Sequence, residues 1–280
     1  MLTSVSSTNQ QADLVGDLDE VFTQRVTGLL DRIEERLADS AAADSDFVTE
    51  AAQHTIRAGG KRFRPLLVVL AALLADDVDE DALIRAALVM ELTHVASLYH
   101  DDVMDEAQLR RGAPTANLRW DNTIAILVGD FLFARASSIV ATLGTDYVQL
   151  QAGTFARLVQ GQIAETRGPL AGEELLDHYL RVLADKTGSL IAASAIFGGM
   201  VAGASPEVLA ALAAYGEEIG VVFQLSDDII DIASDSSGKT PGTDLRAGVP
   251  TLPILLARRS TDPADARLLA LLDADLSADG

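Results

Sequence analysis

The chain has 280 residues, of which 49% are hydrophobic, so it is long enough to bury a large apolar core. Its net charge of −21 argues against nucleic acid or an anionic membrane as a general partner, because both require a basic surface. There are no cysteines, which excludes disulfides and thiol chemistry. Residues 1–13 are rich in Ser, Thr and Gln, lack the features of a signal peptide, and are predicted to form a disordered tail.

After this tail, apolar residues recur at the spacing of α-helices along most of the chain. The predicted helices are, in chain order, 14–37, 47–58, 66–75, 81–106, 122–143, 147–166, 172–186, 189–202 and 206–232, with a last helix opened by Pro250 and Pro253. Loops are predicted at 110–114 and 234–248, where Gly, Pro and charged residues cluster. The sequence has no alternating strand pattern and no linker that would split domains. It therefore predicts an all-α fold with a single domain over residues 14–280.

The longest uncharged stretch, residues 187–206, reaches the length of a membrane span but is rich in Gly, Ala and Ser. Small residues of this kind are typical of closely packed helices, so a buried helix is predicted here. We expect a soluble, cytoplasmic protein without stable insertion into a membrane.

Two Asp-Asp-x-x-Asp groups each end a long apolar, helical run. The spacing of four residues places Asp101 and Asp105 on one helix face, and it does the same for Asp227 and Asp231. Like charges at this spacing repel, which indicates a cation between them. Mg²⁺ is the natural candidate, because it prefers hard oxygen ligands and is usually held by one or two carboxylates plus substrate phosphates. A solvated acidic helix end is the alternative, and two copies make it less convincing.

Basic residues cluster at Arg57 and in the motif GGKRFRP at 59–65, which leads into a helix N-terminus. Free backbone N–H groups and the helix dipole favour anions there, and Lys and Arg donors match phosphate oxygens. An ordinary basic loop is the alternative. Further basic residues lie at 110–111, 186 and 239. The sequence thus offers a metal-bridged diphosphate site, suited to a leaving group, and a metal-free site that would only orient its ligand.

These motifs, taken together, resemble those of trans-polyprenyl diphosphate synthases in order and spacing from about residue 50 to 256. The motifs that carry the resemblance are GGKRFRP at 59–65, DDVMD at 101–105, RRG at 110–112, KT at 186–187, QLSDDIID at 224–231, GK at 238–239, GTDL at 242–245 and TLP at 251–253.

The resemblance implies an isoprenoid-synthase-type helical bundle around a central apolar cavity, a homodimer, and condensation of isopentenyl diphosphate onto an allylic diphosphate. It implies that isopentenyl diphosphate binds to Lys61, Arg64, His94 and Arg111. It implies that Asp101, Asp105, Asp227 and Asp231 bind Mg²⁺, with the catalytic set completed by Asp102 and Asp228. The allylic diphosphate would bind to Arg110, Lys186, Thr187, Gln224 and Lys239.

Product length is indicated by Ala96 and Ser97, which precede Asp101 by about one helical turn. In the family that the chain resembles, bulky groups at these positions stop the product at farnesyl or geranylgeranyl length. Both residues are small here, so a long-chain product of the kind used for quinone side chains is expected. Family members usually continue for several helices after the TLP motif, so either a truncated chain or a reduced helix count is expected.

Three other functions compete with this prediction. A class I terpene cyclase also ionises a diphosphate at an Asp-Asp-x-x-Asp helix, but it needs no second diphosphate site. A non-catalytic subunit of a heteromeric prenyl synthase would be expected to lose carboxylates or the basic loop, and both are present. A calcium-binding helical protein is disfavoured because neither aspartate group has the EF-hand spacing.

Overall fold

The computed structural model describes residues 20–233, 242–246 and 248–272. This part of the chain is almost entirely helical, which confirms the predicted all-α fold. The α-helices are α1 (Glu20–Ser40), α2 (Asp46–Arg57), α3 (Phe63–Ala72), α4 (Glu80–Met104), α5 (Ala116–Arg119), α6 (Asn122–Val140), α7 (Thr145–Arg167), α8 (Leu175–Leu183), α9 (Ser189–Val201), α10 (Pro206–Ala233), α11 (Thr243–Arg246), α12 (Leu252–Arg258) and α13 (Ala266–Leu272). A π-helical turn (Ala184–Gly188) follows α8, and a 3₁₀ turn (Pro263–Asp265) precedes α13.

Most predicted helices have the right location, but several details differ. The helix predicted to start at residue 172 begins at Leu175, because Gly172 has a left-handed φ of +85°. The predicted loop 234–248 contains α11 in its described part, and α13 had no predicted counterpart. Two short antiparallel strands, β1 (Leu109–Arg110) and β2 (Ala113–Pro114), occupy the region predicted as a loop.

The chain folds as two compact units. Unit 1 comprises Met1–Phe155 and Leu190–Ala214, and unit 2 comprises Ala156–Ser189 and Tyr215–Gly280. The single domain over residues 14–280 stays a prediction. The tail predicted for residues 1–13 and the first residues of the predicted domain, 14–19, lie outside the described part of the chain.

Unit 1 is built around α4. This helix begins after Asp79, whose side chain accepts hydrogen bonds of 3.0 Å from the backbone N–H groups of Asp81 and Ala82. Most side chains between Leu83 and Tyr99 are buried, and α1, α3 and α6 pack around the helix. Full burial of one Val, Leu, Ile, Phe or Met side chain stabilises a fold by about 1.5–3 kcal/mol. The helix that ends in the first aspartate group is therefore also the centre of the core.

The backbones of α4 and α6 approach closely at Gly129. A Cβ at this position would lie 2.3 Å from Nε2 of His100 and 3.2 Å from the carbonyl oxygen of Ala96. The same His100 nitrogen lies 3.1 Å from the carbonyl oxygen of Ile126 in α6. A larger residue would displace the His100 ring and press on the Ala96 carbonyl, so glycine suits this contact between α6 and the last turns of α4.

Unit 2 contains the π-helical turn, which α7 and α10 hold in place. Arg157 of α7 donates a 2.6 Å hydrogen bond to Asp185 in the turn and a second hydrogen bond to Glu217 of α10. Gly161 packs against the turn so closely that a Cβ there would lie 2.6 Å from the backbone nitrogen of Lys186. π-helical turns are rare and occur often at functional sites.

By length and composition alone, α4, α6 and α10 could each cross a membrane. In α4, 78% of the apolar window is buried inside the protein, so the core accounts for its apolar character. The windows of α6 and α10 are less buried. The expected absence of stable membrane insertion stays a prediction.

Candidate active site

The basic loop, residues 59–65, connects α2 to α3 in unit 1. Gly59 and Gly60 adopt φ values of +88° and +153°, which favour glycine. The guanidinium of Arg111 lies against Gly60, because a Cβ there would be 2.8 Å from its central carbon and both terminal nitrogens. Lys61 is exposed and Arg64 is partly buried. The fold therefore brings Arg111 to the basic loop across about fifty residues of sequence, as the predicted isopentenyl diphosphate set requires.

Positive charge dominates the surroundings of His94. Burial lowers the pKa of His94 well below its ordinary value, and the charges of Arg64 and Arg111 lower it further. Burial is also the main reason that the pKa of Arg64 falls to about 10, with Glu91 opposing the shift and Arg111 adding to it. At neutral pH, His94 is therefore neutral and Arg64 remains a cation.

The first aspartate group divides into two kinds of carboxylate. Asp101 is partly exposed and Asp105, at the C-terminal end of α4, is exposed. Asp102 is fully buried, and its Oδ1 accepts two hydrogen bonds from Arg110, of 2.8 Å and 2.5 Å. Burial raises the pKa of Asp102, whereas the hydrogen bonds from Arg110 oppose the shift. Asp102 thus holds a basic side chain, and the outer two carboxylates face outward.

Arg110 and Arg111 lie on a tight hairpin formed by β1 and β2. Arg111 and Gly112 both have positive φ values, +54° and +79°, which turn the chain between the strands. The hairpin is fixed at its base by a 2.6 Å hydrogen bond from Thr115 to the carbonyl oxygen of Ala107. On the other side, Nε2 of His54 lies 2.7 Å from the carbonyl oxygen of Pro114. Sequence periodicity could not reveal this hairpin, because two residues are too few to alternate.

The second aspartate group, in unit 2, repeats the pattern of the first. Asp227 is exposed and Asp231 is partly exposed, whereas Asp228 is buried. Asp228 accepts a hydrogen bond from the Tyr179 hydroxyl and one of 3.2 Å from the Gln224 amide. Tyr179 had no signal in the sequence that linked it to Asp228, which lies 49 positions further along the chain.

The predicted residues of the π-helical turn lie next to this group in unit 2. Thr187 donates a 3.4 Å hydrogen bond to Gln224, so the turn contacts the residue that holds Asp228. Lys186 forms an ion pair of 2.5 Å with Glu165 of α7. Lys239, the remaining residue predicted to bind the allylic diphosphate, lies outside the described residues.

The outer aspartates could bind a divalent cation whose remaining ligands come from water and from a bound diphosphate. Among the described residues, no three carboxylate or imidazole groups lie close enough together to form a metal site by themselves. Mg²⁺ commonly takes one or two protein carboxylates and completes its shell with water and substrate phosphates. Asp101 and Asp105 could supply such a pair in unit 1, and Asp227 and Asp231 could do so in unit 2. The outer carboxylates therefore fit Mg²⁺ better than the buried middle ones.

The sequence and the fold both match those of known proteins. The family model described as Polyprenyl synthetase matches residues 45–279. The chain belongs to the polyprenyl synthetase family. This membership confirms the resemblance drawn from the motifs, and it confirms the prediction that the chain is a prenyl-transferring enzyme.

The relatives of this polyprenyl synthetase are named for products of different chain length. A nonaprenyl diphosphate synthase from Mycobacterium tuberculosis is 48% identical over 263 residues, which cover 93% of this chain and 78% of the relative. The crystal structure of geranylgeranyl pyrophosphate synthase from Corynebacterium glutamicum, complexed with calcium and isoprenyl diphosphate, is 46% identical with a TM-score of 0.83, covering 93% of this chain and 80% of that one. A decaprenyl diphosphate synthase from Rhodobacter capsulatus is 32% identical with a TM-score of 0.80, covering 91% and 81%.

Proposed function

We propose that this enzyme condenses isopentenyl diphosphate onto an allylic diphosphate and makes a long-chain all-trans polyprenyl diphosphate in a Mg²⁺-dependent reaction. The observation that carries the proposal is that unit 1 contains two different sets of side chains that could bind a diphosphate, one directly and one through a metal ion. Lys61, Arg64 and Arg111 form a basic set, whereas Asp101 and Asp105 form a carboxylate set. An enzyme that joins two diphosphate substrates needs a site for each, and the basic set and the carboxylate set could supply them.

The basic set would bind isopentenyl diphosphate without a metal ion. Lys61 and Arg64 belong to the loop that leads into α3, and the guanidinium of Arg111 lies against Gly60 of the same loop. Arg and Lys side chains match phosphate oxygens, Arg in a bidentate manner. Burial, together with these cations, lowers the pKa of His94 and keeps it neutral, so it can donate a hydrogen bond to the diphosphate without adding repulsion among them.

The carboxylate groups would bind the allylic diphosphate through Mg²⁺. A divalent cation, when bound by the outer aspartates, supplies Lewis-acid stabilisation to the diphosphate oxygens. The Corynebacterium glutamicum enzyme was crystallised with calcium and isoprenyl diphosphate, which supports a divalent metal in the family. Arg110 and Lys186 would take up further negative charge directly.

The proposed chemistry breaks the allylic C–O bond, and its electron pair leaves with the diphosphate. The double bond of isopentenyl diphosphate then forms the new C–C bond to the allylic cation, and the resulting tertiary cation loses a proton to the released diphosphate. Arg110 and Lys186 would stabilise the negative charge that develops on the leaving group. Apolar helix faces would exclude water, which would otherwise capture the cation.

Product length is proposed from the two small residues that precede Asp101. Ala96 and Ser97 are both buried in α4, and the Ser97 hydroxyl donates a 2.8 Å hydrogen bond to the carbonyl oxygen of His94. The names of the relatives include both geranylgeranyl and nonaprenyl products, so the length needs a direct test. Replacing Ser97 with Phe should shorten the product by several prenyl units, as measured by chromatography of the dephosphorylated products. An unchanged product ladder from active Ser97→Phe enzyme would contradict the assignment.

The proposal is tested by incubating the protein with Mg²⁺, radiolabelled isopentenyl diphosphate and farnesyl diphosphate. A ladder of long polyprenyl diphosphates is expected, and it should disappear in Asp101→Ala and after chelation of the metal. Asp76→Ala is the matched control, because Asp76 is an exposed aspartate remote in sequence from both groups. No incorporation of label by folded wild-type protein would refute the proposal and favour the non-catalytic subunit. Conversion of farnesyl diphosphate alone into a hydrocarbon would favour the terpene cyclase.

Three further expectations belong to the same proposal and are supported by the family resemblance. They are a homodimer, a cytoplasmic location and use of the product for quinone side chains. The first can be tested by light scattering on the purified protein.

A further inference from the structure

Arg62 differs from the other basic residues of the basic loop. Lys61 beside it is exposed, whereas the Arg62 side chain is only 3% exposed. Its backbone has φ +50° and ψ 36°, in the left-handed region that a residue with a side chain seldom adopts. Such a conformation persists only where surrounding contacts hold it in place.

Those contacts use every donor of the Arg62 guanidinium. Nε and Nη2 donate to the two carboxylate oxygens of Glu34 at 2.6 Å and 2.8 Å, in a bidentate pair. Nη1 donates to Glu91 at 3.0 Å and to the carbonyl oxygen of Gly59 at 3.3 Å. Nη2 also donates to the carbonyl oxygen of Ile56 at 3.0 Å. A guanidinium has five N–H groups, so none remains for a diphosphate.

The partners of Arg62 lie on separate elements that meet at the basic loop. Glu34 lies on α1, Glu91 on α4, and Ile56 at the end of α2. Glu91 is only 2% exposed and precedes His94 by three residues, on the same face of α4. The pair of Arg62 and Glu91 therefore fixes the basic loop relative to the helix that carries His94.

We propose that Arg62, held by Glu91 and Glu34, is a positioning residue for isopentenyl diphosphate. This role rests on the proposed function, in which Lys61 and Arg64 bind that substrate directly. Arg62 lies between Lys61 and Arg64 in the sequence, so its fixed left-handed backbone sets the position of these two residues relative to each other. Glu91 places a buried negative charge near Arg64 and Arg111 and so offsets the repulsion between these two cations.

The test is a pair of kinetic measurements on Arg62→Lys, with each substrate varied in turn at saturating levels of the other. Lys keeps the charge but has no planar fork, so the loop should lose its position. The KM for isopentenyl diphosphate should rise about tenfold, while the KM for the allylic diphosphate stays within about twofold of the wild-type value. A role in folding alone would lower the amount of active enzyme and leave both KM values unchanged.

Glu34→Gln keeps the inference testable if Arg62→Lys does not fold. Glu34 is 39% exposed, so its replacement weakens the bidentate pair without burying an uncompensated charge. It should raise the KM for isopentenyl diphosphate in the same selective way, by a smaller factor. Arg36→Lys is the matched control, because Arg36 is an exposed residue of α1 that bonds Asp81 of α4, and its KM values should not change.

Lys61→Ala separates the inference from the proposed function. If Lys61→Ala raises the KM for isopentenyl diphosphate and the folded Arg62 and Glu34 variants do not, positioning by Arg62 is wrong and the proposed function stands. If Lys61→Ala leaves that KM unchanged as well, the proposed role of the basic loop fails, and the inference fails with it.

Discussion

Replacement of Gly161 by Ala would test whether the π-helical turn sets the position of Lys186. A Cβ at residue 161 would lie 2.6 Å from the backbone nitrogen of Lys186, whereas ordinary van der Waals contact begins at 3.4 Å, so the two backbones must separate by about 0.8 Å. The nearest atoms belong to the backbone of Lys186 and Asp185, which cannot rotate away as a flexible side chain would. The turn itself must therefore shift.

Two effects of Gly161→Ala are expected. Overpacking should lower the free energy of unfolding by about 1–3 kcal/mol. Because Lys186 is proposed to bind the allylic diphosphate, a displacement approaching 1 Å there should lower kcat/KM for this substrate by roughly tenfold to a hundredfold. The KM for isopentenyl diphosphate should remain within about twofold of the wild-type value, because the basic loop is assigned to that substrate. Urea unfolding and steady-state kinetics with each substrate varied measure these quantities.

The same helix offers a matched control at Gly153. This residue is exposed, and a Cβ there would meet nothing within 4 Å. Gly153→Ala should raise the free energy of unfolding by about 0.5–1 kcal/mol, because glycine is unfavourable inside a helix, and should leave the kinetics unchanged. Gly161→Ala enzyme with wild-type stability and wild-type kcat/KM for the allylic diphosphate would refute the reasoning.

Two further predictions concern His94 and Tyr179. The folded state lowers the pKa of His94, so at mildly acidic pH the unfolded chain binds a proton there that the folded chain does not. The free energy of unfolding of the wild-type protein should therefore fall by up to about 1.4 kcal/mol per pH unit as the pH falls below about 6.5. His94→Gln should remove this part of the slope in urea unfolding between about pH 7 and pH 5, and parallel slopes would contradict the prediction. Tyr179→Phe removes a donor to buried Asp228 and should cost about 1–3 kcal/mol in thermal unfolding, whereas Tyr215→Phe at an exposed site should cost under about 0.5 kcal/mol. Equal stability of the two Phe variants would contradict the role of Tyr179.

The sequence predicted the long helices well because their signals are local. In α4, a capping aspartate precedes an apolar run, and the run alone indicates a buried helix. The π-helical turn gave no such signal, because its geometry depends on the contact with Gly161 and on the side chain of Arg157, both distant in sequence. The strand pair β1–β2 was missed for a related reason, since its register is fixed by residues outside the strands.

The sequence predicted that the basic loop binds phosphate, but it did not predict that Arg62 and Arg64 differ in their contacts. Arg62 and Arg64 are the same residue type two positions apart, and only the fold shows that all donors of Arg62 bond carboxylate and carbonyl oxygens of the protein. Glu34 lies 28 positions before Arg62, which no local pattern links to the loop. Glu91 could have been found, because it precedes His94 by three residues and so continues the stripe of polar residues that ends in Asp101.

The middle aspartate of each Asp-Asp-x-x-Asp group has a different environment from the outer two, which the sequence did not predict. Helical geometry places Asp102 about 100° around α4 from Asp101, so the two carboxylates could not share one role. Asp102 is buried against Arg110, and Asp228 is buried against Tyr179 and Gln224. Three carboxylates in one turn would repel one another, and each middle group is instead paired with donors from the protein. Each motif thus combines an outward pair suited to a metal ion with an inner carboxylate that fixes a neighbouring side chain. Loss of an inner carboxylate should therefore displace Arg110 or Gln224, which are proposed to bind the allylic diphosphate, and leave the proposed metal ligands in place.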